Sequence, residues 1–382
     1  MPPKPSHDTW HITSHHLEGE LLKSPLLNLT AVFAASALAL TACGDTADND
    51  DANGAEDTGT EATDAEETDA EATDEDNGED DGILAVVDHK YGPTEVPEPE
   101  DGELSVVALG WSDAEVALAL GVEPIAIQDW LGFGEENHGV GPWATDLVSG
   151  EPDVIPRADA ELDYELIQSL NPDVILNVNS GYDEEEYNRL NEIAPTISGP
   201  EDAANFNPGW EAQTQLVADA LGLSEDGEEL IAQTQQSIDD ARDAHPEFDG
   251  LEAVTGSKFD AAYGLHTQGD MRWDILELLG FDMYGPAADI ADPENFYADV
   301  SEEQVEIFDA DIAVLFPIGY TVEELAADPL LASLDVVEED RAVLLDDSEP
   351  LVQAFSAGSP LSIEVVLDEL TPQLAEAVEN LD

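Results

Sequence analysis

The sequence predicts an α/β protein of two similar lobes joined by one long helix. Three observations carry that prediction. From Ser224 to His245 there is no proline and one glycine, Gly227, while Leu230, Ile231, Thr234, Ile238 and Ala241 recur at helical spacing. On both sides of this stretch, β-rich runs alternate with helical ones in the same order: strand, helix, loop, helix, strand. The length of 382 residues admits two domains of ordinary size.

Taken in order, residues 1–42 read as a secretory leader. Lys4 and Lys23 precede an apolar run, Leu26 to Ala42, which ends in Leu40-Thr41-Ala42-Cys43-Gly44. Small residues before a cysteine followed by glycine resemble the bacterial lipobox, in which the cysteine is lipidated. Cys43 is the only cysteine, so it has no disulfide partner within the chain. Residues 43–82 form an acidic tether. Between Gly44 and Asp81 there is no aromatic residue and no Ile, Leu or Val, too little apolar surface to offset ordering entropy. No other stretch is apolar enough to span a membrane, so a lipid anchor is the expected membrane attachment.

The first lobe covers 83–223. Ile83 to Val87 and Tyr91 to Pro97 suggest an edge hairpin. Leu104 to Leu109 reads as a strand, and Ser112 with Glu115 reads as a capping box for the helix Ala114 to Leu120. Pro124 to Ile127 is a second strand, giving a parallel βαβ unit. A long loop, Asp129 to Ser149, carries Trp130, Phe133, His138 and Trp143 among glycines; so long a loop with two tryptophans points to function. Asp163 to Leu170 (helix), Asp173 to Val178 (strand), Glu184 to Ile193 (helix) and Pro195 to Ile197 (strand) follow. A short helix, Trp210 to Leu221, ends the lobe.

The connecting helix occupies 224–246. Ser224 is the expected N-cap and Pro246 the stop. Roughly twenty residues at about 1.5 Å each make a rod of about 30 Å. The second lobe, 247–382, opens with the strand Leu251 to Gly256 and a loop from Lys258 to Gly269. Met271 to Leu279 is a helix, and Ser301 with Gln304 caps another, Val305 to Phe308. Asp311 to Phe316 and Ala342 to Leu345 are strands. Phe355 falls in a Ser/Gly loop, and Ser359-Pro360 opens a long C-terminal helix.

The balance of 9 Lys+Arg against 90 Asp+Glu, a formal charge of -81, excludes nucleic-acid binding because such a body repels phosphate. It fits a halophilic surface kept hydrated at high salt. His89, His138, His245 and His266 sit in no ligand-like spacing, which argues against capture of bare Zn or Mn.

Several stretches together resemble one family: Val106 to Glu115, Leu118 to Val122, Ile167 to Ile175, Ile193 to Thr196, Leu279 to Phe281 and Ser359 to Ser362. In this order they are similar to the iron-siderophore binding proteins of ABC importers, with two Rossmann-like lobes, a single rigid connecting helix and a ligand cleft between the lobes. The resemblance implies an extracytoplasmic, lipid-anchored monomer that captures a ferric siderophore and delivers it to an ABC permease and ATPase complex, without catalysis and without a cofactor. It implies ligand contacts from Trp111, Trp130 and Trp143 on first-lobe loops. Arg157, Tyr182, Arg272, Tyr297 and Phe355 occupy positions where relatives place cleft arginines and aromatics, and Lys258, near Arg272, is taken with them as a ligand contact. It also implies that Glu165 and Glu303, one on each lobe, dock into the permease.

Cobalamin or haem remain alternative ligands at this point. An extracellular hydrolase is a distant alternative, because Ala354-Phe355-Ser356-Ala357-Gly358 lacks the first glycine of a nucleophile elbow. A ligand-free acidic surface protein is the other.

Overall fold

Two separate sheets, joined through one long helix, organise the chain. The computed structural model describes residues 82–99, 102–156, 162–259, 262–292, 295, 297–346 and 349–381. The leader, Cys43, the acidic run up to residue 81 and Arg157 lie outside the described residues.

The first lobe opens with an antiparallel hairpin, β1 (Ile83–His89) and β2 (Gly92–Pro97). A five-stranded parallel sheet follows, made of β3 (Val106–Ala108), β4 (Ala126–Asp129), β5 (Asp153–Pro156), β6 (Val174–Asn177) and β7 (Thr196–Ser198). Their order is β5-β4-β3-β6-β7. The order reverses at β3, and the loops leaving β3, β4 and β6 therefore open a crevice at the strand C-termini. The central strands β3 and β6 are short, mostly apolar and buried at every residue, because helices cover both faces. The helices are α1 (Asp113–Ala119), α2 (Tyr164–Leu170), α3 (Glu184–Asn191) and α4 (Trp210–Ala220). Val87 and Val96 of the hairpin join the core that α1 and α4 form over β3 and β6.

The connecting helix, α5 (Ser224–Ala244), has 21 residues. It buries Gly227, Thr234 and Ile238 on one stripe, and Ile238 enters the second-lobe core with Trp273 and Leu374. The expected cap does not form. Leu223 holds the N-cap position, and Ser224 is already helical, its Oγ donating to Asp219 Oδ1 at 2.6 Å.

In the second lobe the strands are β8 (Glu252–Phe259), β9 (Ala262–His266), β10 (Asp282–Met283), β11 (Tyr297–Val300), β12 (Ile312–Ile318) and β13 (Ala342–Leu344). The sheet runs β11-β9-β8-β12-β13, with β10 parallel to the start of β8. Strands β8, β12 and β13 are parallel, while β9 and β11 are antiparallel additions. The helices are α6 (Met271–Leu278), α7 (Gly285–Ala288), α8 (Val322–Ala326), α9 (Asp335–Glu338), α10 (Pro350–Ala357) and α11 (Pro360–Val378). Much of the segment from Lys258 to Gly269, expected as a loop, is strand: Lys258 and Phe259 end β8, and Ala262–His266 is β9. Its residues pair across the hairpin and satisfy each other's backbone groups. Residues 302–308 form a 3₁₀ helix rather than an α-helix, opened by Ser301 donating from Oγ to Gln304 Oε1 at 2.8 Å. Ser359 caps α11 as expected, accepting from Ser362 N at 3.1 Å. Among the described residues no helix is long and apolar enough to cross a membrane.

Candidate functional site

The first-lobe wall of the crevice is a ladder of rings. Trp111 leaves β3 after Gly110, and Trp130 leaves the adjacent β4. Trp111 stacks on Phe206 at 4.3 Å and on Trp130 at 5.1 Å between centroids. Phe133 meets Trp130 edge-on at 5.9 Å, and Trp143 meets Phe133 edge-on at the same distance. Asp129, the last residue of β4, fixes the loop that carries this ladder. Its carboxylate accepts from the amides of Gly132, Phe133 and Gly134 at 2.7, 2.8 and 2.9 Å. Gly132 and Gly134 both have positive φ, which the wrap around one carboxylate requires.

The second-lobe wall comes from the end of β12, the start of α6 and one face of α10. Phe316, Pro317 and Ile318 face Trp111, Trp130 and Leu131 across a cleft of about 390 Å³, with Arg272 and Ser356 at its side. A smaller pocket of about 40 Å³ continues from Trp111 and Arg272 toward Trp210 and Asp274. Arg272 is clamped by Asp270, the N-cap of α6. Its Nε donates to Asp270 Oδ1 at 2.7 Å and its Nη2 to Asp270 Oδ2. Burial pushes the Asp270 carboxyl up, but the charge and hydrogen bonds of Arg272 outweigh it and hold the group below its usual range. His266 stacks flat against Phe316 at 5.4 Å; burial first, then Arg272, lowers it to about 3, so it is neutral at physiological pH.

Two buried carboxylates lie behind the first wall. Asp113 accepts from Val178 N at 2.8 Å, from Asn179 N at 3.4 Å and from Gln213 Nε2 at 2.8 Å. It packs so closely on Gly110 that any Cβ there would collide with its carboxyl and with Asn179 N. Burial raises it to about 6 against those hydrogen bonds. Glu115 accepts from Trp143 Nε1 at 2.8 Å, from Gly141 N at 3.3 Å and from Ser359 Oγ. Burial raises this carboxyl too, opposed by the same three donors. Ser112 and Glu115 therefore do not form the expected capping box. Ser112 is left-handed (φ 58°), and its Oγ donates to the carbonyls of Trp111 and Ala357 at 2.6 and 2.7 Å. Both side chains pin the first lobe to the second, at the junction of α10 and α11.

The structure gathers Trp111, Trp130 and Arg272 on the cleft walls. Trp143 stands behind them, held by Glu115. Tyr182 is placed elsewhere: it is buried at positive φ under the hairpin, its carbonyl accepting from Tyr91 Oη at 2.6 Å and its ring 5.0 Å below the Lys90 ammonium. Burial raises its hydroxyl, with Asp113 adding to the shift. Lys258 lies near the end of β8, bonded to Asp328 at 2.6 Å and set over the Tyr263 ring. Burial lowers this ammonium, but Asp328 outweighs that and raises it. Tyr297 begins β11 at the sheet edge, opposite His266. Phe355 is corrected: it is in α10, not a loop, and is fully buried in the second-lobe core. Pro350 starts a helix whose apolar residues Leu351, Val352, Ala354 and Phe355 turn toward that core, which leaves Gln353 and Ser356 to the cleft. Glu165 and Glu303 are exposed in the first turns of their helices, one on each lobe. Phe206, Phe316, Asp270 and Ser356 were not anticipated. A capping Asp two residues before Arg272 was the one visible signal among them.

Residues 106–349 match the family described as periplasmic binding protein. A solved periplasmic solute binding protein from Mycobacterium smegmatis is 30% identical, with a TM-score of 0.66 over 78% of this chain and 100% of that one. PiaA of Streptococcus pneumoniae, solved in complex with ferrichrome, is 26% identical, also with a TM-score of 0.66, over 78% of this chain and 99% of its own. The Fe(3+)-citrate-binding protein YfmC of Bacillus subtilis is 29% identical over 181 residues, 47% of this chain. The chain spans about half, 55%, of that curated relative. With its two sheets, its connecting helix and the cleft between them, the chain belongs to the periplasmic binding protein family.

Proposed function

We propose that this protein is the extracytoplasmic binding component of an ABC importer, capturing a ferric siderophore and delivering it to a permease. The observation that carries the reading is the ladder of Phe206, Trp111 and Trp130 facing Phe316 and Arg272 across the cleft. A ferric chelate is bulky and rimmed by part-apolar arms. Flat aromatic walls with a few fixed polar groups suit it, and no nucleophile is required. The likeness to PiaA, solved with ferrichrome, supports this ligand class. In this reading Cys43 carries the lipid anchor, and the exposed Glu165 and Glu303 dock one lobe each into the permease. Arg157, which follows β5 in the chain, is the further ligand contact that this reading assigns. The acidic surface keeps the protein hydrated in salty surroundings.

Titration with ferric siderophores tests the proposal. Trp111 and Trp130 lie where an iron chelate would quench them, so tryptophan fluorescence falls with saturable binding. No response to ferrichrome, ferrioxamine B, a ferric catecholate or ferric citrate would overturn the proposal.

A further inference from the structure

We infer that Glu115 is a positioning residue for the ligand: it holds the aromatic wall of the first lobe in its binding position by joining Trp143 to the α10–α11 junction of the second lobe. The inference rests on the proposed role as a ferric-chelate binder and adds the contact that keeps that site in order.

Two donors from different lobes meet on one carboxylate oxygen. Glu115, on α1 and 1% exposed, accepts from Trp143 Nε1 on Oε2 at 2.8 Å, and Ser359 Oγ donates to that same oxygen. The indole belongs to the first-lobe loop that carries the ring ladder. The hydroxyl caps α11 of the second lobe, accepting in turn from Ser362 N. Glu115 Oε1 accepts from Gly141 N at 3.3 Å, in the same loop. The indole lies directly on Gly141, where a Cβ would come within 2.2 Å of the ring.

Apolar packing follows the same route. Trp143 touches the second-lobe core and also the cluster of Trp130 and Phe133. Ala357, two residues before Ser359, is buried in that ring cluster, and Leu361, two residues after, packs with Trp143 on the first-lobe cluster of Ala114 and Val140. The ladder therefore leans at its back on the start of α11. Rings that meet a ligand contribute most when they are already in place, because disorder in the free site is subtracted from affinity. A buried carboxylate that loses a donor is left undersatisfied, and its other partners lose their fixed acceptor. A partner that draws the lobes apart breaks the Ser359 contact and slackens the wall as the cleft opens, so one contact serves capture and release.

Two substitutions cut the tie from opposite sides. Ser359→Gly removes the hydroxyl, and glycine still serves as an N-cap for α11. Trp143→Phe removes the indole N–H and keeps a ring beside Phe133. Binding of ferrichrome, ferrioxamine B, a ferric catecholate and ferric citrate is followed by quenching of the remaining tryptophans, on variants that thermal melts show to be folded. For the chelate that wild type binds most tightly, each single variant is expected to weaken binding about fivefold or more, the effect of losing one buried hydrogen bond. The double variant is expected to fall no more than about twofold beyond the larger single effect, because both act through one oxygen. Gly227→Ala, which strains the α4–α5 contact instead, is expected to bind as wild type does. Single effects that multiply, single variants that bind as wild type does, or an equal loss in Gly227→Ala overturn the inference and leave the importer role intact. If no chelate binds wild type, the proposed role falls, and the indole N–H resonance of Trp130 in the ligand-free protein decides the inference. Displacement of that resonance in both single variants but not in Gly227→Ala supports it; any other pattern overturns it.

Discussion

Asp274 shows what the cleft asks of a single residue. It sits beside Asp270 and Glu277 near the smaller pocket, and burial, with help from those two charges, raises it to about 7 from 3.8. A carboxyl whose folded pKa is raised binds its proton more tightly folded than unfolded. Its contribution is therefore most favourable at low pH, declines as pH rises from about 4 to about 7, and is flat above. Asp274→Asn removes the titrating group and retains an acceptor for Gly269 N. The variant is expected to gain stability relative to wild type between pH 5 and pH 8, on the order of 2 kcal/mol. Denaturant melts of both proteins across that range check it; equal differences at the two ends would show that Asp274 does not titrate there. In the sequence, Trp111 and Trp130 stood out on loops at strand ends, where doubly wound sheets bind ligands, while Arg272 was offered by the family resemblance alone. It misplaced Phe355 because Ser and Gly neighbours hid a helix whose register only the core could reveal. Tyr182 was misplaced by the same blindness to which way a turn points.

At the scale of elements, α5 was legible nearly end to end, since a long proline-free stripe and Pro246 define it locally. The hairpin of β8 and β9 was not, because Gly256 read as the end of the strand, Gly264 read as loop, and the register is set by tertiary pairing. Both glycines allow close packing: a Cβ on Gly256 would strike the Phe308 ring and Gly264 O. Gly227 makes the same point inside α5. Helix propensity argues that alanine there should stabilise by up to about 1 kcal/mol. A Cβ at this position would lie 2.4 Å from the Ala218 Cβ of α4, an atom fixed to the backbone. Gly227→Ala is therefore expected to destabilise by about 1–3 kcal/mol as the two helices are forced apart. Urea unfolding monitored by circular dichroism measures it. A variant as stable as wild type would mean that α4 and α5 separate freely.

For the whole molecule, the question is how far the lobes can move. The alternation of strands and helices made the two lobes readable, but nothing local in the sequence announced how they are pinned. Among the described residues, the connections that cross at the base of the cleft include α5, whose Ile238 is rooted in the second-lobe core. They also include two hydrogen bonds, Ser112 Oγ on Ala357 O, and Glu115 on Ser359 Oγ, both buried. A wide hinge swing would break the last two and strand a buried carboxylate without one of its donors, a loss of about 1–3 kcal/mol or more for a charged group. Ligand binding would have to supply that differential free energy, because a ligand shifts an equilibrium only by its preference for one state. A flat aromatic cleft can close on a chelate by side-chain adjustment, with no need for such a swing. Small-angle scattering of the ligand-free and the iron-loaded protein is therefore expected to give the same radius of gyration within error. A clear compaction on loading would show that the Ser112 and Glu115 pins open, and that α5 bends or rotates as the lobes close.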